Sequence, residues 1–276
     1  MSQANGGRMR IAVVAPSCPL KREAAEGVQA IAAARGDCEL VFHPQCFSSA
    51  GHFAGPDAER LAAVREVLAD PAIDAVWLAR GGYGSNRIAE AAARDLPAAA
   101  KGKLVMGYSD GGFLLAALHK AGLEVAHGPM PSDVLRDGGE AAVGRALDWI
   151  VRRDAGALEG GLERPTFAFN LVVLSSLLGT ALEPDFTDRE LLIEEVDEEH
   201  YRLDRFLFHV TSQASVRKIR RLRLGRCAVK ENDRPFGSDE ETIARDWCAR
   251  SGIPFGGRAD IGHDAANKVV PFSLPA

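Results

Sequence analysis

Two glycine-flanked segments carry residue types suited to acyl transfer. Gly107-Tyr108-Ser109-Asp110-Gly111 follows a short apolar run and precedes a longer apolar stretch. That is the setting of a strand-to-helix turn that holds a serine hydroxyl at a helix N-terminus. Its glycines permit positive φ and close backbone approach. The amide after the serine, on Asp110, is then free to donate to a developing oxyanion. An ordinary βα turn with a capping serine has the same spacing, because Gly and Ser are frequent turn residues. The second segment is Arg80-Gly81-Gly82-Tyr83-Gly84-Ser85-Asn86-Arg87. Arg87 stands where a dinucleotide fingerprint needs its last glycine, and no phosphate-loop Gly-Lys-Ser/Thr follows. A glycine loop after a strand still presents amides to an anion. Gly82 is the expected second oxyanion donor, against the plainer reading of a turn that packs a helix.

A serine nucleophile needs a base, and the base needs an orienting carboxylate. Seven histidines are present. His263, in Ile261-Gly262-His263-Asp264 before the last apolar segment, is the best placed. His127 is second and is expected to line the pocket. His43, His52, His119, His200 and His209 read as surface or structural. Glu194, at the end of an apolar stretch, is the candidate carboxylate, which makes the chain order Ser109, Glu194, His263. Neighbours on a strand point to opposite faces, so only one of Glu194 and Glu195 can face the histidine.

The elements that must position these residues alternate in type. Residues 11–15, 39–43, 75–79 and 103–106 read as strands, and 23–34, 57–69 and 111–121 as helices. That order predicts an α/β fold with a parallel sheet and helices on its faces. Ligands bind at the carboxyl ends of such strands, where both glycine loops lie. Gly156, Gly160, Gly161 and Pro165 mark residues 154–165 as a linker. The domains are therefore 1–153, carrying the nucleophile, and 166–276, carrying Glu194 and His263, with the active site between them. In the second, 191–196, 222–229 and a closing 269–273 read as strands, and 201–213 and 239–251 as helices, the latter capped by Ser238. This smaller α/β domain is expected to have a mixed sheet.

Composition narrows the classes. The chain has 276 residues, 46% hydrophobic and 26% charged, with net charge −5. No apolar run is long enough to span a membrane. The polar, Gly-rich start of residues 1–10 and the short apolar stretch after it do not make a signal peptide. An acidic chain is disfavoured as a nucleic-acid binder. Its one basic cluster, Arg217, Lys218, Arg220, Arg221, Arg223 and Arg226, reads as a solvated face balancing the acidic stretch 188–199. Cys18, Cys38, Cys46, Cys227 and Cys248 are odd in number and lack zinc-site spacing, so free thiols in a cytoplasmic protein are expected. Nothing near Cys18 in sequence resembles a base.

With these residues in hand, the sequence resembles the LD-carboxypeptidases (muramoyltetrapeptide carboxypeptidases), a family of serine peptidases. The matching segments run in order: residues 11–17, 80–87, 107–110, His127-Gly128-Pro129-Met130, Gly179-Thr180, Glu194 through Tyr201-Arg202-Leu203-Asp204-Arg205, and Gly262-His263 followed by Pro271. The resemblance implies a Ser109–Glu194–His263 triad with no metal or cofactor. Gly82 and Asp110 are the expected oxyanion donors, and Arg80, Tyr83 and His127 the expected substrate contacts; a carboxypeptidase must also bind a terminal carboxylate, to which Arg80 or Arg87 is expected to contribute. The implied reaction is release of the terminal D-alanine from murein tetrapeptides in cell-wall recycling, by a homodimer. Ala168-Phe169 before Asn170-Leu171 and Asp264 after the histidine depart from the family pattern, and Phe169 is expected to reshape the pocket. The alternatives are a microcin-immunity-type peptidase cleaving aminoacyl-nucleotide conjugates, a non-catalytic ligand-binding protein, and an α/β-hydrolase esterase.

Overall fold

The computed structural model describes residues 7–230 and 234–273; the first six residues of the polar start lie outside the described residues. The first half alternates as the periodicity predicts. Strands β1 (Met9–Val14), β2 (Cys38–Phe42), β3 (Ala75–Leu78), β4 (Leu104–Gly107) and β5 (Glu124–His127) are joined by helices α1 (Arg22–Arg35), α2 (Asp57–Ala69), α3 (Asn86–Ala93) and α4 (Gly112–Lys120). Helix α5 (Gly139–Arg152) follows. Residues of β1, β3 and β4 are buried on both sides of the sheet, which is why these segments read as unbroken apolar runs rather than alternating ones. Helices α1 and α5 cover one face, packing Val28 and Leu147 against Val13 and Trp77. Helices α2, α3 and α4 cover the other, where Val64, Ile88 and Leu114 meet Val76 and Val105.

The second half repeats the alternation. Strands β6 (Thr166–Asn170), β7 (Glu190–Glu199), β8 (Arg221–Lys230) and β9 (Phe255–Arg258) are separated by α6 (Leu171–Leu177), α7 (His200–Ser212) and α8 (Glu240–Ser251). They form a four-stranded sheet in sequential order, and every pair in it is parallel. The mixed sheet expected here is therefore corrected. Each strand returns through a helical crossover, and such crossovers give parallel neighbours.

The closing strand is also relocated. Only Val270–Pro271, β10, is strand, and it pairs antiparallel with β5 at the edge of the first sheet, in the order β10-β5-β4-β3-β1-β2. Pro271 has no amide proton to donate, and an edge strand tolerates that. The stretch 154–165 is fastened rather than loose. Leu158 bridges Val269, and buried Glu159 accepts from Arg223 at 2.6 Å and from the Asp260 amide at 2.7 Å. Helix α8 is capped by Asp239, not Ser238; the Asp239 carboxylate accepts from the Thr242 amide at 2.8 Å.

The two halves share one apolar core. Phe167 and Phe169 of β6 pack on Phe272, and Phe169 lies against Gly112 of α4. The basic cluster is largely ion-paired. Arg220 binds Asp188 at 2.8 Å, Arg221 binds Glu190 at 2.7 Å, and Arg226 engages Asp260 and Asp264.

Candidate active site

Strand β4 ends at Gly107 and the chain turns into α4 through Ser109, whose φ is +57°. A non-glycine residue in that left-handed region is uncommon and strained, and it persists only where the surroundings over-determine it. The surroundings do. A Cβ on Gly107 would meet Leu78 at 2.8 Å, so the turn sits directly on β3. The turn stands Ser109 up at the carboxyl edge of the sheet.

His263 Nε2 lies 3.0 Å from Ser109 Oγ, and His263 Nδ1 lies 2.6 Å from Glu194 Oε2. A carboxylate only accepts, so Nδ1–H donates to Glu194 and Nε2 is left to accept the serine proton. The three side chains come from the turn after β4, from β7 and from the loop before β10. Glu194 is fully buried, and its Oε1 has no partner among the described residues. The His263 ring is itself buried, which opposes its charged form, but the charge and hydrogen bond of Glu194 outweigh that and raise its pKa above the ordinary value. The Tyr108 ring packs against His263, with centroids 4.9 Å apart. Its hydroxyl donates to Asp133 at 2.9 Å. Arg136 pairs with Asp133 at 2.9 Å and donates to the His263 carbonyl, which fastens the histidine loop to the first domain.

Beside the serine lies a cavity of about 440 Å³, lined among others by Gly82, Tyr83, Asp110, Asn170, Glu195 and Glu198. The glycine loop forms one wall. A Cβ on Gly81 would come within 2.8 Å of Ser109 Oγ, and one on Gly82, where φ is +104°, would collide with Cys18 Sγ. Backbone can approach Ser109 this closely only because no side chain intervenes. Among the described residues, neither the Gly82 nor the Asp110 amide donates to another protein group.

Several residues that hold this arrangement carry no local signal of their role. The Asp110 carboxylate accepts from Ser17 Oγ at 2.5 Å and from the Ser85 amide at 2.8 Å. It thereby ties the loops after β1 and β3 to the serine turn. Arg60, fully buried on α2, donates to Gly84 O at 2.8 Å and to Pro16 O, and pairs with Asp57. Its fellow helix residues give only the amphipathic pattern of an ordinary α2, so nothing marks it out beforehand.

Not every expected contact reaches the cavity. Tyr83 does, half-exposed on its rim. His127 does not. It is buried behind the serine turn, its Nε2 is 3.1 Å from Asn267 Oδ1, and burial pushes its pKa down to about 4. A neutral imidazole inside the β5 edge supports the loop and touches no ligand space. Arg80 does not line the cavity; its guanidinium contacts Pro19 O at 3.4 Å. Phe169 is core rather than cavity wall, so it does not reshape the pocket as expected.

Glu195 is a more consequential neighbour than strand alternation suggested. The ladder between β7 and β8 shifts register between Ile193 and Glu195. Glu195 turns toward the start of α6, where it accepts from Asn170 Nδ2, the Val172 amide and the Val196 amide at 2.8–2.9 Å. Burial raises its pKa to about 7 despite those donors. Cys18, for which sequence offered no base, has His52 Nε2 at 3.3 Å.

Two family profiles cover the chain. The LD-carboxypeptidase N-terminal domain matches residues 11–128, and the LD-carboxypeptidase C-terminal domain matches 165–276. The chain belongs to the LD-carboxypeptidase family. A Synechocystis sp. protein is 30% identical over 283 residues, covering 97% of this chain and 90% of that protein. The murein tetrapeptide carboxypeptidase of Pseudomonas aeruginosa is 27% identical, covering 97% of this chain and 92% of its own length. Among solved structures, the muramoyltetrapeptide carboxypeptidase of Oxalobacter formigenes superposes with a TM-score of 0.79 at 24% identity, over 95% of this chain and 93% of that one. The microcin C7 self immunity protein MccF superposes with a TM-score of 0.78 at 16% identity, over 96% of this chain and 91% of that one. At these identities the two superpositions speak to the fold. No helix among the described residues is long and apolar enough to cross a membrane.

Proposed function

We propose that this protein is a serine carboxypeptidase that hydrolyses the terminal L-to-D peptide bond of murein tetrapeptides and releases D-alanine. The observation that carries the reading is the chain of contacts from Glu194 through His263 to Ser109, at 2.6 and 3.0 Å, within an LD-carboxypeptidase chain.

In the proposed cycle His263 Nε2 accepts the Ser109 proton as the serine oxygen attacks the scissile carbonyl carbon. The carbonyl oxygen takes up negative charge and is held by the Gly82 and Asp110 amides; losing one such donor typically costs roughly 10²–10³ in rate. The imidazolium is stabilised by Glu194 and passes its proton to the leaving nitrogen, freeing D-alanine. Water, deprotonated by His263, then cleaves the acyl–serine ester. The reading includes a cytoplasmic setting, which five free thiols suit, and a homodimer, which the family resemblance implies.

The test is turnover of a purified murein tetrapeptide, with released D-alanine and the tripeptide product identified by mass. The reading expects both in equal amounts. Cleavage of an aminoacyl-nucleotide conjugate with none of the tetrapeptide would favour the microcin-immunity alternative instead.

A further inference from the structure

A second cavity, of about 300 Å³, opens at the same carboxyl edge of the first sheet, lined by Lys21, Ala24, Arg80, Ser132, Leu135 and Arg136. It is built from the loops after β1, β3 and β5, while Ser109 follows β4, which lies between β3 and β5. The serine cavity is lined from the α4 face of the sheet and the second cavity from the α1 face. The first is lined by Phe113 of α4 and Val173 of α6, and the second by Ala24 of α1.

Their linings differ in charge. The serine cavity holds Glu195, which accepts three hydrogen bonds, and Glu198, which pairs with Arg202, and no lysine or arginine lines it. The second holds three cations and no carboxylate. Two of these cations are free of acidic partners among the described residues. Lys21 is exposed and makes no ion pair, and Arg80 has only its long contact to Pro19 O. Arg136 is half engaged by Asp133.

The second cavity also touches the reacting groups through backbone. Arg80 is followed by Gly81, which lies against Ser109, and Arg136 donates to the carbonyl of His263. A peptide bond placed on Ser109 extends to both sides of it. The side next to the unpaired Arg80 guanidinium and Lys21 ammonium attracts an anion, whereas the lining of the serine cavity offers no cation.

We infer that the cavity of Lys21, Arg80 and Arg136 binds the free α-carboxylate of the departing C-terminal residue, so that the acyl portion lies along Glu195 and Asn170. This rests on the carboxypeptidase reading above and assigns the groups that make the enzyme act at a chain end. Arg80 is the principal contact, since its guanidinium has no acidic partner among the described residues and its backbone adjoins Gly81, which lies beside Ser109.

The test compares a tetrapeptide ending in a free carboxylate with the same peptide ending in a carboxamide. The wild-type protein should prefer the acid, and Arg80→Gln should cut that preference by about 10–100-fold, as expected for one charge-assisted hydrogen bond. The loss should appear mainly in KM. Arg80→Lys should restore part of the preference, and Lys21→Gln, at an exposed position, should reduce it by a smaller factor. If the wild-type protein cleaves acid and amide equally, the carboxypeptidase reading itself fails. If it prefers the acid while Arg80→Gln and Lys21→Gln keep that preference in full, the reading stands and the cavity assignment is overturned.

Discussion

Replacing Glu194 by Gln removes one charge and changes almost no volume. The carboxylate is fully buried, with Oε2 2.6 Å from His263 Nδ1. Taking about 4 Å between charge centres and an effective dielectric near 20, the attraction for the imidazolium is about 4 kcal/mol. Imidazolium forms as the serine attacks, so that energy is lost from the transition state. At about 1.36 kcal/mol per decade, the rate should fall by roughly 10³. A second effect has a definite sign. Glu194 holds the His263 pKa up against burial. Without it burial and the nearby Arg136 outweigh the smaller pull of Glu195, the ring titrates lower, and the acidic limb of the pH–rate profile moves to lower pH. The assay is kcat/KM for D-alanine release across pH, with melting followed in parallel. A variant within tenfold of wild type, with an unmoved acidic limb, would refute the proposed role of Glu194.

Two further outcomes follow from the same geometry. Gly81→Ala places a methyl group 2.8 Å from both Ser109 Cβ and Oγ; displacing the nucleophile should lower kcat by roughly 10² while circular dichroism stays native. Burial lifts the Glu195 pKa from the ordinary 4.5 to about 7, so between these values the folded state holds a proton the unfolded chain has lost. Stability from this group is complete below pH 4.5 and falls as pH rises toward 7, by about 3 kcal/mol in all. Glu195→Gln should abolish that component, and a urea-melt series whose pH slope is the same in variant and wild type would count against it.

Much of this was legible before any coordinates. Buried strands such as β1 and β4 must be apolar on both sides, and that leaves unbroken runs. The serine turn announces itself because Gly107 and Gly111 press on Leu78, where no side chain fits. What stayed hidden depends on partners distant in sequence. β10 is two residues long, and only the open edge of β5 decides where it pairs. Asp239 outcompetes Ser238 as a cap because its carboxylate happens to reach the Thr242 amide. His127 looked like a ligand-facing residue, yet pairing with Asn267, 140 residues on, buries it. The Asp110 carboxylate, Arg60 and the Cys18–His52 contact are all meetings of separate loops. Local propensity carries no record of them.

The most direct check on the account is D-alanine release from murein tetrapeptide by Ser109→Ala, measured beside its melting temperature. The account predicts that release falls to the uncatalysed or near-background level while the variant melts within a few degrees of wild type, because among the described residues the Oγ makes no bond beyond that to His263. A folded Ser109→Ala protein that still releases D-alanine at the wild-type rate would contradict it.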